Sequence, residues 1–139
     1  MAKKNIKTSN YTLADALIRI KNASAVYKKT VRVPRSKFIE TVLNVLKKEG
    51  FIEDVQPVED SPYELEVHLA YKDDVPPVPK VEHVKFFSKP GRAIYIRVSD
   101  IKPVRSGYGV QIISTPKGIM TTKEAKKQNV GGKLICEVW

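Results

Sequence analysis

Five consecutive residues, Ser114 to Gly118, combine side chains that suit the binding of a polyanion. The segment Ser-Thr-Pro-Lys-Gly contains two hydroxyls, a proline-set bend, one cation and one glycine. Short hydroxyl side chains can hydrogen-bond base edges, 2′-hydroxyls or phosphates, a lysine can neutralise a phosphate, and a glycine allows close backbone approach. An ordinary polar turn would have the same composition, so these residues alone support both interpretations equally.

Two further groups of residues would extend such a site. Arg92 and Tyr95 follow a predicted turn at Pro90-Gly91, where a tyrosine could stack on an unpaired base beside an arginine-bound phosphate. Taken alone, Tyr95 is more typical of a residue that packs within a sheet. Lys123 belongs to a predicted basic helix after the loop, and the free N–H groups at that helix N-terminus would also attract a phosphate.

Catalytic and metal-binding motifs have no positive support in the sequence. The pair Gly107 and Gly109 precedes a predicted strand, and the third glycine of a dinucleotide-binding loop is missing. His68 and His83 fall in different predicted strands without metal-ligand spacing, which favours an exposed strand position for each. Cys136 is the only cysteine and lies in an apolar run, which predicts a small buried hydrophobe. We therefore predict a protein that is not an enzyme and that has no metal or cofactor.

Charge is distributed unevenly along the 139 residues. Residues 1–37 contain ten Lys/Arg and one acid (+9), residues 38–74 three Lys and ten acids (−7), and residues 75–139 twelve Lys/Arg and four acids (+8). The net charge of +10 predicts a polyanionic partner, and the segregation predicts that the two ends contact it. No apolar stretch has membrane-spanning or signal-peptide character, which predicts a soluble protein of a reducing compartment.

The first 72 residues predict an α/β unit with the element order αβαββ. Leu13, Leu17 and Ile20 recur with helical spacing, and Thr12 with Asp15 resembles a capping box, so a helix is predicted over residues 12–22. A short strand over residues 30–33 precedes a second helix, which begins after Ser36 and ends at Gly50. Residues 51–57 and 63–71 alternate as two strands of a hairpin whose sheet has one solvated face.

Residues 73–80 contain two adjacent aspartates and three prolines, which predicts a linker. Residues 81–139 predict a β-rich domain with strands near 80–87, 93–98, 109–115 and 134–138. Its one short helix is opened by a capping box, Thr121 with Glu124. The predicted fold class is α+β, with an N-terminal αβαββ domain (1–72) packed beside a β-rich C-terminal domain (81–139).

Residues 110–138, with the sequence VQIISTPKGIMTTKEAKKQNVGGKLICEV, resemble the C-terminal signature of bacterial small-subunit ribosomal protein eight. The similarity continues through KPGR at 89–92, the Ile94-Tyr95 pair, ADALIRIKN at 14–22 and NVLKKEGFI at 44–52. It extends over nearly the whole chain in the same order, and only residues 1–11 and 57–80 match loosely.

This resemblance implies a primary RNA-binding protein of the small ribosomal subunit that helps assemble the subunit platform. The family binds a stem in the central domain of small-subunit (16S) ribosomal RNA, where a distorted internal loop offers an unstacked adenine. The positions that match RNA-contacting residues of the family are Ser114, Thr115, Lys117 and Gly118 in the loop, Tyr95 as the stacking residue, and Arg19, Lys21 and Asn22 in the first helix.

Three residues depart from the family pattern. Pro116 replaces the second serine of the loop and removes a hydroxyl and a backbone donor. Ile18 stands where the family usually has threonine, and Lys133 stands where an acid is common. A contact that needs that carboxylate is therefore not expected in this chain.

The resemblance also implies partners and a location. The expected neighbours are the fifth and twelfth proteins of the small subunit, and the expected location is the ribosome in the cytoplasm. Members of the family can repress a messenger RNA that imitates the ribosomal site, so a regulatory RNA-binding role is an alternative. A small enzyme is a second alternative, which the missing nucleophile, metal ligands and phosphate loop disfavour.

Overall fold

The computed structural model describes residues 4–87, 91–103 and 108–139, with side chains from residue 12 onward. Helices and antiparallel sheets are both present, which confirms the predicted α+β class. The chain divides into two compact units, Met1–His83 and Val84–Trp139. Among the described helices, none is long and apolar enough to cross a membrane.

The first helix, α1, is longer than its apolar pattern predicts. It spans Lys4–Ala25, so the predicted start with a capping box at Thr12 was wrong. Residues 4–11 have no apolar spacing that reveals a helix, but each residue added to an existing helix gains a backbone hydrogen bond. Leu13, Leu17 and Ile20 are buried in the core, as their spacing predicted.

The second helix, α2, spans Lys37–Lys48 and has both predicted ends. The Ser36 side chain accepts a hydrogen bond from the Ile39 N–H, which makes Ser36 the N-cap. At the other end, Gly50 has a φ of +85°, and its N–H donates to the Lys47 carbonyl. The buried face of the helix consists of Ile39, Val42, Leu43 and Leu46.

The sheet of the first unit contains β1 (Thr30–Pro34), β2 (Ile52–Val58) and β3 (Ser61–Leu69). Their order is β1-β3-β2, all antiparallel, and α1 and α2 pack against β1 and β2 respectively. Along β3, buried Leu65, Val67 and Leu69 alternate with partly exposed Glu64, Glu66 and His68, as predicted for a sheet with one solvated face. His68 lies on this solvated face of β3, with about one third of its side chain exposed (35%) and its Nε2 atom 3.3 Å from Glu66 Oε1.

A small hairpin occupies most of the stretch for which the sequence predicted a linker. Strand β4 (Tyr71–Lys72) pairs with β5 (Val78–Pro79), and the Lys80 N–H donates to the Ala70 carbonyl. The hairpin belongs to the first unit. The proposed domain boundaries at residues 72 and 81 stay a prediction.

The second unit is mostly β. It contains β6 (Val84–Phe86), β7 (Tyr95–Ile96), a 3₁₀ helix (Val98–Asp100), β8 (Val110–Thr115), β9 (Gly118–Thr121), α3 (Thr122–Lys127) and β10 (Gly132–Val138). The sheet order is β6-β10-β8-β9, and β7 pairs with β10 beside β6. His83 is exposed but precedes β6, so its predicted strand position was wrong. Residues 88–90 of the predicted turn and Gly107 lie outside the described residues.

The second unit buries apolar residues on both faces of this sheet. Ile113, Met120 and Leu134 of the sheet cluster with Ile101 and Ala125 on one face. Ile112 is directly opposite Cys136, and both are buried on the other face. Cys136, on the central strand β10, is fully buried, which confirms the sequence interpretation. Burial, with a smaller contribution from Glu137, raises the pKa of the Cys136 thiol to about 12. The thiol is therefore neutral at physiological pH.

Candidate nucleic-acid interface

The predicted loop is the tight connection of a β-hairpin. Thr115 at the end of β8 pairs with Gly118 at the start of β9, which leaves Pro116 and Lys117 as the two connecting residues. Pro116, Lys117 and Gly118 are all exposed, and Gly118 has a φ of +122°. A methyl group at Gly118 would meet no atom within 4 Å, so the space beside this glycine is open. The lysine and the open backbone therefore lie at the tip of a hairpin held by β8 and β9.

Thr115 has a structural role within this hairpin. Its hydroxyl donates to the Gly118 carbonyl at 2.8 Å and accepts from the Lys117 N–H at 3.1 Å. The residue is buried at 8% exposure, so its hydroxyl hydrogen already has a partner inside the protein. In the proposed RNA site, Thr115 therefore shapes the turn that presents Lys117.

The expected phosphate site at a helix N-terminus immediately after the loop was wrong. Strand β9 separates the hairpin tip from α3, and the N-cap Thr121 is 2% exposed. The predicted capping box itself is confirmed, because the Thr121 hydroxyl accepts from the Glu124 N–H at 3.1 Å. What α3 offers to a phosphate is not its N-terminus but three exposed cations, Lys123, Lys126 and Lys127.

Three strands bring Tyr95, Lys133 and Ser114 into one row across the sheet. Lys133 on β10 is directly opposite Tyr95 on β7 and, on its other side, directly opposite Ser114 on β8. Directly opposed residues of antiparallel strands project to the same face, with Cβ atoms about 5 Å apart. Tyr95 is 74% exposed, and Ser114 and Lys133 are partly exposed. We call Tyr95, Lys133 and Ser114 the cross-strand row.

The residues next to this row along β10 and β8 project to the opposite face of the sheet. Leu134 is opposite Ile113, and Ile113 is opposite Met120. All three are buried in the core of the second unit. Because side chains alternate along a strand, burial of these residues turns their neighbours Lys133 and Ser114 to the other face.

Gly131 and Gly132 hold the strands that carry the row close together. A Cβ built on Gly132 would overlap the carbonyl oxygen of Ser114 and lie 2.9 Å from its carbonyl carbon. A Cβ on Gly131 would lie 2.5 Å from the Ile96 carbonyl oxygen. Both glycines are therefore required by the close backbone packing of this segment against β7 and β8.

Lys133 is the member of the row that sequence reasoning did not include among the binding residues. It was singled out only as a departure from the family pattern. Its alternation with buried Leu134 indicated a position on the outer face, but only the pairing of β7, β10 and β8 reveals that it lies between Tyr95 and Ser114. Arg92, which was predicted from sequence, is exposed in the segment before β7.

The predicted contacts in the first unit lie on the exposed side of α1. Lys21 and Asn22 are exposed, and Ile18 is 45% exposed among them. Arg19 is already engaged within the protein. Its Nε atom lies 3.2 Å from Asp15 Oδ2, and its Nη1 donates to the Arg32 carbonyl at 3.3 Å. Of the predicted helix residues, Lys21 and Asn22 are thus more accessible to a new partner than Arg19.

Comparison with known proteins identifies the family of the chain. The family model described as Ribosomal protein S8 matches residues 11–139. The small ribosomal subunit protein uS8 of Thermus aquaticus is 46% identical over 134 residues, which cover 91% of this chain and 96% of that relative. The protein of the same name from Kosmotoga olearia is 46% identical over 91% of this chain, and that from Hahella chejuensis is 43% identical over 92% of it. In both cases the match covers 96% of the relative. The chain belongs to the ribosomal protein S8 family.

Proposed function

We propose that this protein is a structural component of the small ribosomal subunit and binds its ribosomal RNA. Support comes from its relatives, which are named small ribosomal subunit proteins, and from a family that is not a class of enzymes. The net charge of +10 is suited to a partner with a phosphate backbone. The ribosome in the cytoplasm is the corresponding location.

The observation that carries the proposal is the cross-strand row beside an exposed hairpin tip. Tyr95 offers an exposed aromatic ring on which an unpaired base can stack. Ser114 offers a hydroxyl for a base edge or a 2′-hydroxyl, and Lys133 and Lys117 offer cations for phosphates. The bound RNA is a stem in the central domain of 16S ribosomal RNA that has an unstacked base, and binding there contributes to assembly of the subunit platform.

Two contributions to binding differ in what they recognise. Contacts with phosphates carry no sequence information. The second unit supplies cations for them, namely Arg92, Lys117, Lys123 and Lys133. The first unit supplies the cations Arg19 and Lys21 and the neutral amide donor of Asn22. Recognition of the particular stem comes from its shape and from the unpaired base that reaches Tyr95 and Ser114. Pro116 supplies no hydroxyl and no backbone donor at the hairpin tip. Lys133, between Tyr95 and Ser114, adds a cation for a phosphate contact.

A footprint of the purified protein on intact small-subunit ribosomal RNA tests this proposal. We expect protection of one stem in the central domain. Tyr95→Ala should weaken binding by about 1–3 kcal/mol, because a base–aromatic stack is lost. Tyr63→Ala is a matched control, since Tyr63 is also a strongly exposed strand tyrosine at 81%, but lies in the acidic part of the first unit. Equal affinity for Tyr95→Ala and the unaltered protein would contradict the proposed surface.

Ribosomal neighbours are a second part of the proposal. The solvated face of the first unit's sheet carries Glu64 and Glu66, within a stretch of residues, 38–74, with a net charge of −7. Such a face repels phosphates and suits basic protein surfaces. The fifth and twelfth proteins of the small subunit are the proposed partners, and crosslinking within reconstituted subunits tests this assignment.

The row would also accept a messenger RNA whose structure imitates the ribosomal stem. Translational repression by this protein is therefore proposed as an additional activity of the same surface. Competition between the ribosomal stem and the candidate messenger for the purified protein tests it. If the two RNAs bind at the same time, the shared-surface explanation is wrong.

A further inference from the structure

The first unit contains a stacked pair of tyrosines, of which Tyr27 follows the end of α1 and Tyr71 lies in β4. The ring centroids of Tyr27 and Tyr71 are 5.7 Å apart, and the ring planes are inclined by only 18°. Tyr27 is nevertheless 54% exposed. One face of its ring is therefore covered by Tyr71, and the other faces solvent.

The backbone holds this pair in a defined position. Tyr27 has a φ of 60°, and the last turn of α1 is closed by hydrogen bonds from the Tyr27 N–H to the Ser24 carbonyl and from the Lys28 N–H to the Ala23 carbonyl, both 3.1 Å. This left-handed position at a helix end is usually occupied by glycine or asparagine. The Tyr71 hydroxyl donates to the Lys28 carbonyl, which fixes the second ring against the same turn.

The surroundings of the pair combine exposed apolar surface with positive charge. Lys28 and Lys29 are exposed, and their side chains have no acidic partner within the part of the chain that the structure describes. Val26 is 65% exposed, and the preceding helical turn presents Lys21 and Asn22. Residues 1–37, which include this surface, have a net charge of +9.

We infer that the open face of Tyr27 stacks on an unpaired base of RNA while Lys28 and Lys29 contact the flanking phosphates. A ring that is already held by a second ring and by a closed helix end loses little conformational freedom when a base stacks on it. The local charge favours a polyanion over an apolar protein surface. The inference rests on the proposed function only in that the RNA is ribosomal. It adds to the proposed stack on Tyr95 a second base stack, on Tyr27 of the first unit.

A purely structural role is the competing explanation. Lysines near a helix C-terminus interact favourably with its dipole, and Tyr27 could act only by packing on Tyr71. The two roles make different predictions for substitutions at Tyr27. Asparagine tolerates the left-handed backbone but has no ring, whereas tryptophan keeps an aromatic face at the same position.

The first test measures binding of the full chain to intact small-subunit ribosomal RNA, together with urea denaturation of each variant. Tyr27→Asn should weaken binding by roughly 5- to 150-fold, the range expected for loss of one base stack, and Tyr27→Trp should retain it. If Tyr27→Asn lowers only the urea midpoint and leaves RNA affinity unchanged, the pair is structural and the inference is wrong. If its RNA affinity is unchanged and only assembly with a neighbouring protein is lost, the surface binds protein and the inference is also wrong.

The second test separates this inference from the proposed function. The complex is formed with RNA in which photoreactive 8-azidoadenosine replaces adenosine or, in a separate preparation, 5-bromouridine replaces uridine. It is then irradiated, and the crosslinked peptides are mapped by mass spectrometry. Crosslinks at both Tyr27 and Tyr95 support both assignments. A crosslink at Tyr95 without one at Tyr27 overturns the inference alone, whereas one at Tyr27 without Tyr95 supports it and contradicts the proposed row. Failure of the unaltered protein to bind the RNA overturns both.

Discussion

At the scale of single residues, Gly132 connects protein stability with the geometry of the proposed RNA site. Its Cα lies so close to the Ser114 backbone that no side chain fits between β10 and β8. The neighbouring Lys133 and the opposed Ser114 are both members of the cross-strand row. A change at this glycine should therefore disturb the spacing of the row as well as the sheet.

We predict that Gly132→Ala lowers the free energy of unfolding by about 1–3 kcal/mol. The new methyl group would meet backbone atoms of Ser114 that can move only if the whole strand moves. Urea denaturation measures this effect. Gly50→Ala is the control, since its Cβ would meet no atom within 4 Å and only the φ of +85° opposes it. A smaller loss for Gly132→Ala than for Gly50→Ala would contradict the packing argument.

Cys136 gives a second prediction at this scale. Because burial raises the pKa of its thiol to about 12, and because the thiolate is the reactive form, iodoacetamide at pH 8 should modify it only when the second unit opens. Labelling followed by mass spectrometry should be slow in buffer and rapid in urea. The chain has one cysteine, so the modification reports a single position. Rapid stoichiometric labelling of the folded protein would contradict the burial of the Cys136 side chain.

At the scale of secondary-structure elements, an ion pair connects α2 to the adjacent strand β2. Lys47 Nζ lies 2.8 Å from Asp54 Oδ1, and the same carboxylate accepts hydrogen bonds from the Gln56 amide and the Val55 N–H. The Lys47 hydrogen bond, followed by those of Gln56 and Val55, holds the pKa of Asp54 well below its ordinary value of 3.8. The site is open to solvent, so its contribution to stability is modest.

The sign of the resulting pH dependence follows from the direction of the shift. A carboxyl whose pKa is lower in the folded state stabilises the fold above the unfolded value, here 3.8, and this stabilisation is lost as pH falls further toward the folded value. Asp54→Asn should therefore reduce the loss of stability between pH 5 and pH 2, as measured by urea midpoints. Lys47→Gln should have the same effect, and the double variant should add little to either. Fully additive effects would show that the two residues act independently.

Helix ends were predictable from sequence where a local hydrogen bond defines them. Ser36, Gly50 and Thr121 act as the sequence suggested, because capping requires only neighbours within a few residues. The start of α1 was missed because residues 4–11 lack apolar periodicity. The left-handed turn at Tyr27 was missed because a tyrosine is not the residue that usually signals one.

The cross-strand row could not be predicted from sequence for a different reason. Tyr95, Ser114 and Lys133 are far apart along the chain, and their arrangement depends on the order β7-β10-β8 and on the register of each pair. Alternation of apolar and polar residues indicates which face of a strand is outward, but it does not identify the neighbouring strand. The hydroxyl of Thr115 was offered as an RNA ligand because the residue type alone does not show that local hydrogen bonds within the two-residue turn engage it.

At the scale of the whole molecule, the segregation of charge predicts how binding responds to salt. Both units carry exposed cations on the surfaces proposed to contact RNA, including Lys21 in the first and Lys117 in the second. Each phosphate contact releases condensed counterions when the complex forms. The logarithm of the RNA affinity should therefore fall steeply, and in a straight line, with the logarithm of the salt concentration.

We predict that Lys117→Ala, at the exposed hairpin tip, reduces the slope of log affinity against log salt by about one, and that Lys133→Gln does the same. Filter binding at several salt concentrations measures both slopes. Lys47→Gln is a suitable control, because the Lys47 side chain is paired with Asp54 at 2.8 Å and belongs to neither proposed RNA surface. Slopes unchanged by both Lys117→Ala and Lys133→Gln would show that the hairpin tip and the row do not touch phosphates.

The central position of β10 has a consequence for the order of events during synthesis. β10 is the last of the strands in the chain, yet it separates β8 from β6 and β7 in the sheet. While a nascent chain is still shorter than residue 133, Tyr95 and Ser114 have no strand between them and the row does not exist. The helices and sheet of the first unit need no residue beyond 83 and can form earlier. RNA recognition by the row thus begins only after translation has passed β10, so a prematurely terminated chain would not present it.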